Sequence, residues 1–217
     1  MRGVSFTRAG MVQFSVISLQ SSSVFYAMMA VVLAYALGCC STGFIYYKWR
    51  TGRDIRDFGS RNAGARNVGR ALGRRGFFVT FLGDFGKGMA ATGLARWLHL
   101  DPWVVTGVLV AVVAGHNWPA PLHFRGGKGM STSGGAILFF DWTLVLCSAA
   151  AFIVIWIFLR RTTISGLLAC VVAPVLLWIF NPEPALVVGA SILALEVLIA
   201  HHSNVREEIL RLKLRRG

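Results

Sequence analysis

GSRNAGARNVGRALG, residues 59–73, lies between two long apolar runs and is unlike either of them. Small residues (Gly59, Ser60, Ala63, Gly64, Ala65, Gly69, Ala71, Gly73) alternate with Arg61, Arg66, Arg70, Asn62 and Asn67. A loop that only had to stay in water could use any polar residues. Glycine lets successive backbone N–H groups converge on an anion, and arginine adds a planar fork that matches phosphate oxygens. The stretch therefore reads as a phosphate-binding segment at a membrane surface. The preference for positive charge on the cytoplasmic side explains its arginines and leaves its asparagines and glycines unexplained.

The flanking runs set the fold class. The chain has 217 residues, is 55% hydrophobic and carries a formal charge of +13, with a mean hydropathy of +0.62. Several of its apolar stretches are long enough to cross about 30 Å of hydrocarbon. They are continuous rather than alternating, which excludes a barrel and leaves an all-α integral membrane protein. Its basic residues are clustered without the aromatic–basic strand pattern of a nucleic-acid module, so no nucleic-acid partner is expected.

Charge sets the orientation. Residues 48–75 carry nine Lys/Arg against Asp54 and Asp57, which makes this loop cytoplasmic and the N-terminus periplasmic. Spans are expected at 24–47, 77–97 and 103–121, and a second basic cluster follows at 124–129. Arg160 and Arg161 should also be cytoplasmic, yet a single span after Lys128 would place them outside. The conflict disappears if 131–140 crosses as a short helix, Asp141 turns outside and 142–159 returns. Ten residues rise only about 15 Å, so the Gly126–Gly129 loop should dip into the membrane beside a polar cavity. Spans at 164–180 and 185–200 complete a seven-transmembrane-helix bundle with a cytoplasmic C-terminus. The domain organisation is an N-terminal extension (1–23), the membrane domain (24–212) and a basic tail (213–217).

Polar groups collect on the cytoplasmic side: residues 59–73, Asp84 with Lys87, residues 124–129, and His201 with Asn204. Charged residues inside spans are costly and so are functional candidates. Lys87, three residues after Asp84, suits an ion pair. Lys128 among Gly126, Gly127 and Gly129 joins a point charge to open backbone, but lacks the spacing of a nucleotide-binding P-loop. His201 and Asn204 share a helix face. His116 precedes an Asn-Trp-Pro turn, and Glu196 sits within the last span and needs a partner or a proton. Cys39, Cys40, Cys147 and Cys170 lie in apolar runs and read as small buried residues. No metal-ligand spacing occurs and no cofactor is called for. A transporter of an organic phosphate would also want basic clusters at membrane depth. It would need polar groups reaching the outer leaflet, and these stop in the cytoplasmic half.

In order, Gly59-Ser60-x-Asn62-x-Gly64-Ala65-x-Asn67-x-x-Arg70, Asp84-x-x-Lys87-Gly88, Gly115-His116, Phe124-x-Gly126-Gly127-Lys128-Gly129 and His201-x-x-Asn204 resemble the bacterial PlsY family. The resemblance covers roughly residues 24–212. It implies seven helices in the bacterial cytoplasmic (inner) membrane and a cytoplasmic active site. It also implies transfer of an acyl group from acyl phosphate to glycerol 3-phosphate, giving lysophosphatidate and phosphate in phospholipid biosynthesis. The expected partners are those two substrates, membrane lipid and the enzyme that makes acyl phosphate. By motif match, Ser60, Asn62, Lys128, His201 and Asn204 would be catalytic. Gly64, Asn67, Arg70, Lys87, Gly126, Gly127 and Gly129 would bind phosphate, supported by Asp84, His116 and Ser165. The chain departs from the family at Arg61, where Gly is usual, at Arg66, where Thr is usual, and at Glu196, where an apolar residue is usual. It has neither a His-x-x-x-x-Asp pair nor a Gly-x-Ser-x-Gly elbow, so direct attack on the donor is expected, without an acyl-enzyme.

Overall fold

The computed structural model describes residues 8–202, with side chains from residue 24 onward. Asn204 and the basic tail fall outside the described residues. All regular structure among those described is helical: α1 (Arg8–Cys39), α2 (Thr42–Thr51), α3 (Ala65–Trp97), α4 (Pro102–Asn117), α5 (Met130–Phe140), α6 (Trp142–Leu159), α7 (Thr162–Phe180) and α8 (Pro184–Ala200). Short 3-10 turns at Ile55–Asp57 and Ala120–Leu122 shape the two loops between α2 and α3 and between α4 and α5.

Four segments among the described residues are long and apolar enough to cross a membrane: Val24–Thr51, Pro102–Leu122, Trp142–Leu159 and Thr162–Phe180. α5 and α8 are apolar but shorter. Leu33, Phe78, Leu82, Phe158, Val175 and Trp178 point outward. Such a surface would aggregate in water and is the natural solution in lipid.

α4 is the centre. Val105, Leu109, Val112 and Val113 are almost fully buried against α1, α3, α5 and α8. Lipid tails are as apolar as these side chains, so close helix contact must come from packing rather than from expulsion of water. Glycine pairs provide it. A Cβ on Gly38 of α1 would strike the Val112 carbonyl of α4, and one on Gly115 would strike the Tyr35 carbonyl. Gly88 of α3 and Gly135 of α5 meet the same way, each against the other helix's backbone.

Two expected elements are divided differently. The run expected as one span, 24–47, breaks at Cys40–Ser41 into α1 and α2. Carbonyls released by such a break need donors. The buried Lys87 ammonium supplies them, donating to Gly38 O and Cys40 O at 2.9 Å each while its ion pair to Asp84 Oδ1 measures 3.1 Å. The segment 59–73 is also not all loop. Its second half is the start of α3, which begins at Ala65 and bends at Gly73 (φ 71°, ψ −163°), a conformation that only glycine adopts readily.

α5 is the short helix expected before Asp141. Asp141 caps α6, its Oδ1 accepting from the Leu144 N–H at 2.8 Å, and its Oδ2 accepts from Asn181 Nδ2 at 3.2 Å. The α5–α6 and α7–α8 turns are thereby held together.

Lys87→Met should destabilise the fold by about 3–5 kcal/mol, because it strands a buried carboxylate and uncaps α1. Thermal unfolding in detergent should show the loss, and the double variant with Asp84→Asn should recover a large part of it.

Candidate functional site

The first loop is built around one amide. Asn67, in the first turn of α3, is 2% exposed. Its Nδ2 donates to the carbonyls of Phe58 (2.8 Å), Asn62 (2.9 Å) and Ile55 (3.2 Å), and its Oδ1 accepts from the Ser60 N–H at 3.0 Å. Asn62 holds the end of the loop, its Oδ1 accepting from the Gly64 N–H at 2.9 Å. Gly59 is left-handed (φ 56°), and a Cβ there would meet Asn67 Oδ1 at 2.5 Å. Ser60 is exposed at the rim of this turn.

The second loop is moulded on the end of α4. Gly126 N donates to Asn117 O at 3.2 Å and Gly127 N to His116 O at 2.9 Å. A Cβ on Gly127 would fall on the His116 imidazole. Gly129 is left-handed (φ 80°) and starts α5. Tyr35 on α1 donates its hydroxyl to Trp118 O at 2.9 Å, fixing the Asn-Trp-Pro turn.

The two loops are joined. Ala63 N donates to Gly126 O at 3.4 Å. Arg56 donates to the carbonyls of Leu122 at 2.7 Å and Arg125 at 3.4 Å, braced by a 2.6 Å ion pair to Asp54. The hydrogen bonds from that guanidinium hold the Asp54 carboxyl below its usual range. Below the loops, Asp84 pairs with Lys87 and lies 3.5 Å from His116 Nδ1. The sequence therefore brings residues 59–64, 126–129 and 116 to one place.

His201 caps α8 beside them. Its Nδ1 lies 2.8 Å from Val197 O. A carbonyl can only accept, so Nδ1 carries the proton and Nε2 keeps a lone pair. Burial, with Lys128 and Arg66 adding positive charge, pushes its pKa down. The imidazole is neutral at pH 7.

Several expected roles change. Asn67 and Lys87, expected as phosphate ligands, are committed to backbone carbonyls, the first shaping the loop and the second capping α1. Ser165 is fully buried on α7, its Oγ without a hydrogen bond among the described residues. Two residues earlier, Thr163 Oγ1 meets Arg66 Nη1 at 2.6 Å. Glu196 is 8% exposed, and among the described residues no hydrogen bond reaches its Oε2. Arg56 and Asn117 went unnoticed in sequence. The signal for Arg56 was its spacing from Asp54, and for Asn117 its place in the Asn-Trp-Pro turn.

The glycerol-3-phosphate acyltransferase family profile matches residues 28–211. The chain belongs to this family. It is an acyltransferase of phospholipid biosynthesis with an integral membrane fold. It is 38% identical over 190 residues to glycerol-3-phosphate acyltransferase 1 of Desulfitobacterium hafniense, covering 87% of this chain and 94% of that one. With the Clostridioides difficile glycerol-3-phosphate acyltransferase it shares 38% over 189 residues, 84% and 92% of the two chains. The crystal structure of PlsY in its glycerol 3-phosphate form superposes with a TM-score of 0.78 at 29% identity, covering 85% of this chain and 92% of that one. The lysophosphatidic acid form gives 0.75 at 27%, with the same coverage.

Against the family pattern, Arg61 is the informative departure, because it stands where Gly is usual and has φ 54°. A left-handed residue with a Cβ costs about 1 kcal/mol. Arg61→Gly should therefore leave unfolding stability equal or higher and retain turnover, whereas Gly59→Ala should lower both. Parallel melting curves and steady-state rates test the contrast.

Proposed function

We propose that the chain transfers an acyl group from acyl phosphate to glycerol 3-phosphate, giving lysophosphatidate and inorganic phosphate. The observation that carries this reading is the Ala63–Gly126 bond, which joins two glycine-rich loops beside Lys128 and His201. Both substrates present phosphate, and two joined anion-binding loops suit two such groups. The similar PlsY structures are forms with glycerol 3-phosphate and with lysophosphatidic acid, an acceptor and a product of this chemistry.

In the proposed step the acceptor hydroxyl oxygen bonds to the acyl carbonyl carbon, and the carbon–oxygen bond to phosphate breaks. The hydroxyl proton passes to the departing phosphate. The mixed anhydride is already activated, so the protein has to hold it and stabilise the developing oxyanion. Lys128, with the Gly129 backbone, holds a phosphate, and Arg70 serves the other. Gly126, Gly127 and Gly64, expected as phosphate ligands, donate their N–H groups to Asn117 O, His116 O and Asn62 Oδ1 and shape the two loops instead. Ser60 and Asn62 face the reacting groups. The His201 Nε2 lone pair orients the acceptor hydroxyl, with Asn204 following it. Asp84, His116 and Ser165 support the site from beneath.

The chain is read as spanning the bacterial inner membrane seven times, N-terminus periplasmic and active site cytoplasmic. The Asp141–Asn181 bond supports this, because it pairs two turns that the span count puts on the same side. The enzyme that makes acyl phosphate would be its metabolic partner.

Purified protein should release phosphate from acyl phosphate only when glycerol 3-phosphate is present, and acyl-CoA should be a poor donor. Lys128→Ala should lower kcat/KM roughly 10- to 150-fold, the loss of a charge-assisted hydrogen bond of about 1.5–3 kcal/mol. Arg53→Ala, in the same basic loop, should be nearly silent. Equal losses at both positions would argue against a site at Lys128, and phosphate release without acceptor would argue against direct transfer.

The pH profile follows from His201. Its pKa is below the ordinary imidazole value of about 6.5, so the lone pair is present at neutral pH and is lost only on acidification. Rates should be flat from neutral to mildly alkaline pH and fall on the acid side. His201→Gln, which keeps an acceptor, should remove much of that fall.

A further inference from the structure

α8 lies along the seam between α4 and α5. At the end away from the glycine loops, Thr106 Oγ1 of α4 donates to Ala185 O at 2.8 Å. A Cβ on Gly189 would meet Phe140 Cζ of α5 at 2.7 Å and Thr106 Cγ2 at 3.2 Å. At the loop end, His201 feels the charge of Lys128, which stands just before α5. α8 therefore runs parallel to α4 and antiparallel to α5. Seven residues make nearly two turns, so they return a side chain to the same face about 10 Å along the axis. Counted from these contacts toward the loops, that step leads from Gly189 to Glu196, from Phe140 to Ser133 and from Thr106 to Val113, with Asn117 one turn further.

This level of the seam is polar. Glu196, Ser133 and Asn117 are 8%, 7% and 3% exposed. Among the described residues no hydrogen bond reaches Glu196 Oε2, Ser133 Oγ, Asn117 Oδ1 or Asn117 Nδ2. Unmatched polar atoms at such depth are costly, and four of them at one level point to a shared partner. The residues also gather about one glycine. Ser133 N donates to Gly129 O at 2.7 Å, and a Cβ on Gly129 would stand 2.9 Å from Asn117 Oδ1 and 3.2 Å from Val113 Cγ1.

Helix packing alone would use an apolar residue at 196, as is usual in the family. A carboxyl in an apolar span, neutral or ionised, needs hydrogen-bond partners. A buried water takes about three, donating and accepting, and a carboxyl, a hydroxyl and a carboxamide together offer both kinds. No group of His, Cys, Asp and Glu that could hold a metal forms among the described residues, so the set suits water.

We propose that Asn117, Ser133 and Glu196 hold one buried water molecule where α4, α5 and α8 meet, and that through it Glu196 positions Gly129 and the Lys128 side chain beside it. Glu196 touches no substrate and acts only through the water on the turn. It gives the second loop a brace beyond the Gly126 and Gly127 bonds to the end of α4. The effect on Lys128 rests on its reading above as a phosphate ligand, and the water site does not.

A high-resolution structure of the full-length protein should show a water within hydrogen-bond distance of Asn117, Ser133 and Glu196, and Glu196→Leu should lose it. Binding is read with glycerol 3-phosphate and with a long-chain alkyl phosphate, neither of which needs turnover. Glu196→Leu should weaken, about three- to tenfold, whichever of the two Lys128→Ala weakens, and leave the other unchanged. Glu196→Gln, which keeps two polar atoms, should restore most of the loss. Adding Ser133→Ala to Glu196→Leu should weaken binding little further, because both act through one water. A direct hydrogen bond between Glu196 and Asn117 with no water between them would overturn the proposal. So would additive losses, equal weakening of both probes, or unchanged binding in Glu196→Leu. If Lys128→Ala weakens neither probe, the phosphate reading of Lys128 fails and the positioning role fails with it. If the water and the selective weakening are found but acyl phosphate gives no transfer, the acyl-phosphate reading fails and this site stands. If transfer proceeds and Glu196→Leu shifts neither probe, only this inference fails.

Discussion

The structure depends on a single buried ammonium group. Lys87 reaches from α3 to the two carbonyls left open where α1 ends, and is balanced by Asp84 one turn away. Asp84 in turn approaches His116, whose ring fills the space that a side chain on Gly127 would take. A charge this deep is tolerated only when all its hydrogens are matched. Here the matching partners come from α1, the α1–α2 break and α3, and through His116 the network reaches the loop that carries Lys128. The same contacts that keep the charge in the membrane therefore fix the distance between the helix core and the glycine backbone of the second loop.

Much of this was legible in the residues. Long apolar runs imply helices because lipid cannot satisfy a free backbone, and the short run 131–140 was recognisable from charge parity alone. Glycines at 126, 127 and 129 have meaning where chains approach closely, and there the second loop does pack onto the end of α4. What could not be read was the division of labour among polar residues. Asn67 and Lys87 look in sequence like groups waiting for an anion. Only the chain path shows that carbonyls made available by the Gly59 turn and the Cys40–Ser41 break claim them first. Arg56 escaped notice for the converse reason, since its partners are the carbonyls of Leu122 and Arg125, far away in sequence.

The joined loops also bear on how catalysis is achieved. Their backbone groups are held by protein partners, which fixes the loop shapes in the free protein, so on the proposed function the side chains they carry do not have to be reoriented during reaction. Preorganisation of this kind is a large source of rate enhancement in enzymes generally, and the direct transfer proposed above would draw on it. It also explains why the site is made of glycine and asparagine. Asparagine side chains imitate the peptide group and lock the turns that glycine permits.

Asn67 carries a chemical risk along with its structural role. Asparagine side chains age by attack of the following backbone nitrogen on the amide carbon, which releases ammonia and leaves an acid. At this position an acid would lose both Nδ2 hydrogens and set a negative charge against the carbonyls of Ile55, Phe58 and Asn62. The following nitrogen belongs to Val68, and it is tied to Gly64 O at 3.2 Å within the first turn of α3, with a fully buried branched side chain on its own residue. Starting the helix just before Asn67 therefore also guards it, so the residue on which the loop is built is protected against this chemical ageing.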